Sequence, residues 1–129
     1  MEIARPDPGS LYALGYTSTV TAVFTDDALG ALLDSARRFN VTRGVTGKLY
    51  AVTRGPVVVR FAQWIEGDER ALTECYRRIL ADPRHAAIRV HRWGPVAERR
   101  FEGWSMDIER VANRPGEADV AEWLGVPAG

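Results

Sequence analysis

A single cysteine, Cys75, is all the chain carries, so neither a disulfide framework nor a cysteine-built zinc site can form within it, which suits a reducing cytoplasm. An excess of charge is also missing. Lysine plus arginine and aspartate plus glutamate number 17 each, which withholds the basic footprint expected of a nucleic-acid or membrane-surface binder. No apolar run approaches the roughly 20 residues of a membrane-spanning helix. Met1 to Gly9 holds Glu2, Arg5, Asp7 and two prolines where a signal peptide needs an apolar stretch. Repeats and low-complexity segments are lacking too. These absences predict a soluble, cytoplasmic protein with no nucleic acid and no membrane to engage, whose ligand is a small molecule or another protein.

What is present is enough apolar material for one core: 129 residues, 46% of them hydrophobic. Leu11 to Ser18 (LYALGYTS) is short, apolar and aromatic and reads as a first strand. Thr25-Asp26-Asp27 supplies an N-cap and an acidic first turn for a helix to about Asn40, with Ala28, Leu29, Leu32, Leu33 and Ala36 as its apolar stripe. Gly44 to Val52 reads as a second strand, Arg54-Gly55-Pro56 as a break, and Val57 to Ile65 as the return strand of a hairpin. A second helix is predicted to start at Glu66-Gly67-Asp68 and to stop at Asp82-Pro83, because the residue before proline leaves the helical region. Two further strands are expected around Ala87 to Trp93 and Phe101 to Ile108. In the tail, Val120, Trp123 and Leu124 fall at helical spacing before Gly125. The order βαββαββ predicts an α+β, ferredoxin-like fold: a mixed five-stranded sheet, two helices on one face and a short C-terminal helix.

Three polar residues interrupt this pattern where core residues belong. Asn40 continues the first helix's stripe four residues after Ala36. Gln63 is the one polar member of the row Val57, Val59, Phe61, Gln63 and Ile65, which period-2 alternation puts on one face. Tyr16 lies on the first strand, predicted to face the same helix-covered side. Left without partners, such groups cost about 1–3 kcal/mol each, so they satisfy one another or a ligand satisfies them. Each also has an ordinary explanation: a core tyrosine with its hydroxyl at the edge, a glutamine bonded to backbone, an asparagine capping a helix.

Five stretches, LYALGYTS, ARRFNVTRGVTGKLY, FAQWIEG, RRILADPRH and AERRFEGWSM, occur in an order that resembles the BLUF family of blue-light sensors using FAD, over about Leu11 to Met106. The resemblance divides the chain into an N-terminal extension at 1–10, a flavin-binding domain at 11–108 and a tail with a short helix at 109–129. It implies that Tyr16 hydrogen-bonds Gln63 and donates an electron and then a proton on excitation, and that Gln63 is the switch beside the flavin. It further implies that Asn40 binds the polar rim of the ring, that Arg78 and Asp82 lie beside its other edge, and that Arg84 and His85 reach the phosphate or ribityl portion. Trp104 and Met106, read as sharing a face of the last strand, would relay the change at Gln63, although alternation leaves open which of them lies inside. Phe39 stands where the family often has a second polar residue, and the segment from Gly47 to Gln63 is longer than usual. Because the resemblance nearly exhausts the chain, the expected function is non-enzymatic: a photoreceptor of the short, single-domain type, homo-oligomeric, that signals to a separate effector protein. Two alternatives are a light-insensitive interaction module and a small hydrolase of the acylphosphatase type, since the fold alone does not fix function.

Overall fold

The computed structural model describes residues 10–112. They form β1 (Leu11–Val20), α1 (Asp26–Val41), β2 (Thr46–Arg54), β3 (Val57–Asp68), α2 (Glu69–Ala81), β4 (His85–Pro95) and β5 (Asp107–Ala112). The strands make one sheet in the order β4-β1-β3-β2-β5, antiparallel throughout except for the parallel pair β2 and β5. This is the predicted ferredoxin-like α+β architecture with a mixed five-stranded sheet. The predicted tail helix lies outside the described residues, and β5 runs across position 108.

Local chemistry sets the helix ends. Thr25 caps α1 by accepting from the Ala28 N–H at 3.1 Å, and Asp68 caps α2 by accepting from the Ala71 N–H at 2.8 Å. The second helix therefore starts three residues later than the sequence suggests, since Glu66 and Gly67 still pair with Ala13 and Tyr12 of β1. Leu29 and Leu33 from α1 and Leu72 and Cys75 from α2 join Leu14, Tyr16, Phe61 and Ile65 of the sheet in one core, so both helices cover the same face.

Bulges alter the simple alternation. In β3, Val52 pairs with Arg60 but Thr53 with Val58, leaving Val59 as the extra residue. Val58, not Val57 or Val59, consequently joins Phe61 in the core, and Val57 is exposed. The predicted row thus holds only for Phe61, Gln63 and Ile65. The hairpin of β2 and β3 ends in a tight turn at Gly55-Pro56 with Gly55 at φ +59°, so its length lies in paired strands rather than in a loop. In β4, Ala87 sits at a second irregularity with φ +53°.

The expected strand from Phe101 does not form. Residues 96–106 make an irregular connection, and regular pairing begins only at Asp107. The physical reason is a competing set of partners. The amides of Arg100 and Phe101 donate to the Glu66 carboxyl at 2.8 and 2.6 Å, and a turn closes from the Trp104 N–H to the Phe101 carbonyl at 3.1 Å.

Candidate functional site

Between the helix pair and the sheet lies a cleft of about 280 Å³. Its apolar walls include Leu32, Leu33 and Phe39 from α1, Ile79 from α2 and Phe24 from the segment before α1. Tyr16, Asn40, Gln63, Arg78, Asp82, Arg84, His85 and Met106 also line it, so eight of the nine residues singled out from the sequence are brought to one place. Trp104 is the exception. It is 55% exposed, whereas Met106 is 2% exposed. Neither residue lies in β5, and it is Met106 that faces inward.

Register explains the central contact. Tyr16 and Gln63 are Cα partners across the β1–β3 ladder, and directly opposed residues on adjacent strands project to the same face. The Tyr16 hydroxyl donates to Gln63 Oε1 at 2.5 Å, the short end of the O–H···O range. With its oxygen so engaged, Gln63 directs Nε2 to the Met106 sulfur at 3.4 Å. A thioether is a weak acceptor and the amide nitrogen carries two hydrogens. Among the described residues one donor capacity on Gln63 therefore has no strong acceptor, and a ligand acceptor in the cleft would complete it.

Asn40 is buried in the same region. Its Nδ2 donates to the Ser105 carbonyl at 2.7 Å, and its Oδ1 accepts from the Cys75 thiol at 3.6 Å. The capping function at the end of α1 belongs to its backbone carbonyl, which accepts from the Arg43 and Val45 amides. Arg37, one turn earlier, donates from Nε to the Met106 carbonyl at 3.0 Å. Met106 and the residue before it are thus tied both to the helix face and to Gln63.

The other end of the cleft is charged. Asp82 pairs with Arg84 rather than with Arg78, at 2.9 and 2.7 Å in a two-point contact, and also accepts from the Arg84 amide. Arg78 instead reaches Ser35 at 3.1 Å and lies 4.1 Å over the Phe39 ring, whose centroid also has the Arg43 guanidinium at 3.6 Å. His85 is fixed by donation from Nε2 to the Ile79 carbonyl at 2.8 Å, with the Ser18 hydroxyl 2.7 Å from Nδ1.

Burial pushes the Tyr16 phenol well above its ordinary pKa, with smaller contributions from Asp82, Cys75 and Tyr76, so the ring stays protonated. Burial also pushes the Cys75 thiol up to about 11, opposed by Arg78 and Arg43. The hydrogen bonds from Arg84 hold the Asp82 carboxyl below the usual carboxylate range.

Cys75, Arg37 and Ser18 escaped sequence reasoning, although weak signals existed. Cys75 follows Ala71 by four on the second helix, Arg37 precedes Asn40 by three, and Ser18 follows Tyr16 by two on a strand. Glu66 was misplaced: fully buried, it accepts from two backbone amides, from the Trp64 indole N–H at 3.2 Å and from the Thr46 hydroxyl at 3.3 Å.

A partly apolar cleft of this volume, near the low end of the roughly 300–1,000 Å³ typical of ligand sites, with amides and a phenol on its lining, suits an aromatic, hydrogen-bonding ligand. The chain belongs to the BLUF family: the model described as sensors of blue-light using FAD matches residues 11–107. FAD is accordingly the cofactor of this domain family, and the residues present fit it. The cleft has room for a ring system, and Gln63, whose Nε2 has only the weak Met106 sulfur as acceptor among the described residues, lines it.

Among curated relatives, the photoactivated adenylate cyclase subunit beta of Euglena gracilis is 30% identical over 119 residues, covering 89% of this chain and 13% of that protein. The corresponding subunit of Euglena longa is 29% identical over 126 residues, covering 95% and 14%. The chain thus spans about one-eighth of the length of these relatives. Among solved structures, the dark state of BlrB, a BLUF protein, superposes with a TM-score of 0.72 at 34% identity, covering 82% of this chain and 75% of that one. Klebsiella pneumoniae BlrP1 with FMN and cyclic diGMP gives 0.68 at 33% identity, covering 78% and 26%. Among the described residues, no helix is long and apolar enough to cross a membrane.

Proposed function

We propose that this chain is a blue-light photoreceptor in which Tyr16 is the electron and proton donor, Gln63 the switch and Met106 the first group to register the change. One observation carries the reading: the continuous path from the Tyr16 hydroxyl through the Gln63 amide to the Met106 sulfur along the wall of the cleft. When bound, the flavin supplies a ring that absorbs blue light and accepts one electron. With the flavin in place, Tyr16 would give up that electron, and its oxidised phenol, then a far stronger acid, would pass its proton along the bond it already makes to Gln63 Oε1, toward the ring. A carboxamide has an acceptor at one end and a donor at the other, so rotation or tautomerisation reverses its polarity with almost no change in shape. Return of the electron and proton from the ring to Tyr16 would leave Gln63 reversed. In that state Gln63 no longer offers its N–H to Met106.

Asn40 is assigned to the polar rim of the ring, Arg78 and Asp82 to its other edge, and Arg84 and His85 to the more polar remainder of the cofactor at the mouth. Asp82 and Arg84, locked together, act as one rigid charged element. The output is a change in association with a separate effector protein, with the receptor homo-oligomeric. Relatives bearing cyclase names support an effector coupled to this kind of domain. The test is an absorption spectrum of the purified protein before and after blue light. A flavin spectrum that shifts to the red and relaxes in darkness is expected. A colourless preparation that yields no flavin on denaturation, or a yellow one that does not respond, would favour a light-insensitive interaction module instead.

A further inference from the structure

A fully buried carboxyl with four hydrogen-bond donors lies outside the cleft. Glu66 is 0% exposed, and each of its two carboxyl oxygens takes one backbone amide and one side-chain donor. Oε2 accepts from the Arg100 amide and the Trp64 indole; Oε1 accepts from the Phe101 amide and the Thr46 hydroxyl. Arg99 reinforces the grip by donating to the Thr46 hydroxyl at 2.7 Å, the Glu66 carbonyl at 3.2 Å and the Gly44 carbonyl at 2.8 Å. Three consecutive residues of the connection between β4 and β5 are therefore fastened to β2, β3 and the turn before β2.

The three residues that end the connection are held differently. The Trp104 carbonyl accepts from the Gly47 amide at 3.0 Å, the Ser105 carbonyl from Asn40, and Met106 from Arg37 and Gln63. Between the two groups lies the turn from Phe101 to Trp104, whose third residue, Gly103, has φ +87°. A type II turn requires positive φ at that position, and glycine supplies it without strain.

We infer that Glu66 is a positioning residue: it fixes residues 99–101 as an anchor, so that a displacement of Met106 is confined to the stretch from Glu102 to Met106, hinges at Gly103 and moves the exposed Trp104. Without the anchor the whole connection would yield and the displacement would dissipate along it. The inference rests on the assignment of Gln63 as switch and Met106 as its first contact. Backbone amides report it directly, because protection from exchange follows local opening.

The experiment is NMR-detected amide hydrogen exchange on the flavin-loaded protein in darkness and under continuous blue light, with Glu66→Gln as the variant. A glutamine keeps the shape but replaces one oxygen by a donor. Whichever way it lies, it loses one of the two backbone amides, and the Trp64 indole as well when its nitrogen takes the place of Oε2, whereas the Thr46 hydroxyl can turn to accept. In the wild type, the Arg100 and Phe101 amides are expected to be protected equally in darkness and light, while the Gly47 and Trp104 amides exchange at least about threefold faster in light. In Glu66→Gln, the Arg100 or Phe101 amide is expected to exchange at least about tenfold faster. The light-induced red shift is kept, and dark recovery is faster. Loss of protection at Arg100 and Phe101 together with Gly47 on illumination, or unchanged exchange and recovery in the variant, overturns the anchor. If the variant does not fold, the dark–light comparison of the wild type decides alone. A wild type without any red shift would instead defeat the assignment of Gln63, so the two failures are distinguishable.

Discussion

Tyr16→Phe removes one oxygen and leaves the ring in place, which makes it a clean perturbation of the proposed path. The hydroxyl donates to Gln63 Oε1 at 2.5 Å, and Gln63 is 9% exposed. Deleting the donor leaves a buried carbonyl oxygen without its strongest partner, at a cost of about 1–3 kcal/mol. For a chain of this size that corresponds to a fall in Tm on the order of 3–10 °C. The aromatic ring still packs against His85, so the fold and the cleft survive and the protein stays yellow. The photoreaction, by contrast, loses its electron and proton source. The assay is an absorption difference spectrum under blue light combined with a thermal melt of the flavin-loaded protein. Full retention of the wild-type red shift would refute the assignment of Tyr16 as donor, and an unchanged Tm would refute the claim that Gln63 depends on this bond.

The remaining expectations concern other parts of the same architecture. Met106→Leu keeps the volume but deletes the sulfur that accepts from Gln63 Nε2; stability is expected to fall by no more than about 1.5 kcal/mol, while the dark-recovery time constant, followed by absorbance, changes severalfold. Ala87→Gly relieves a non-glycine residue at φ +53° and is expected to raise the unfolding free energy by up to about 1 kcal/mol, read as a higher midpoint of urea unfolding. Hydrogen bonding from Arg84 lowers the Asp82 pKa in the folded state, so the stability it contributes is fully present above the unfolded carboxylate value and is lost as pH falls through the folded value. Asp82→Asn should accordingly flatten the acid limb of a stability-versus-pH curve measured by denaturant titration.

Sequence patterning revealed the architecture because most of it is written in local signals: Thr25 as a cap, the Leu29/Leu33 stripe, the Gly55-Pro56 turn. The site was legible for a different reason. It was the family resemblance that assigned roles to its residues; the pattern itself showed only that Tyr16, Asn40 and Gln63 are polar groups at core positions, an expense that a packed interior does not carry without partners. What escaped detection are events set by tertiary partners. Glu66 looks like the acidic first turn of a helix, but β1 pairing keeps it in a strand and the loop amides of Arg100 and Phe101 come to it. That same capture prevents the strand expected at Phe101, which moves Trp104 out and Met106 in. Arg78 and Asp82 have the i,i+4 spacing of an ion pair, yet the fork of Arg84, two residues beyond Asp82, matches the carboxylate at two points. The bulge at Val59 likewise cannot be seen in alternation, since it is the alternation that it interrupts.

Gln63 is proposed as the group whose hydrogen-bond polarity is reversed by light. Gln63→Leu tests it most directly, because leucine fills the space and can neither donate nor accept. The variant is expected still to bind flavin, but its absorption spectrum does not take up the red-shifted form under blue light. A reversible photocycle like that of the wild type in this variant would contradict it.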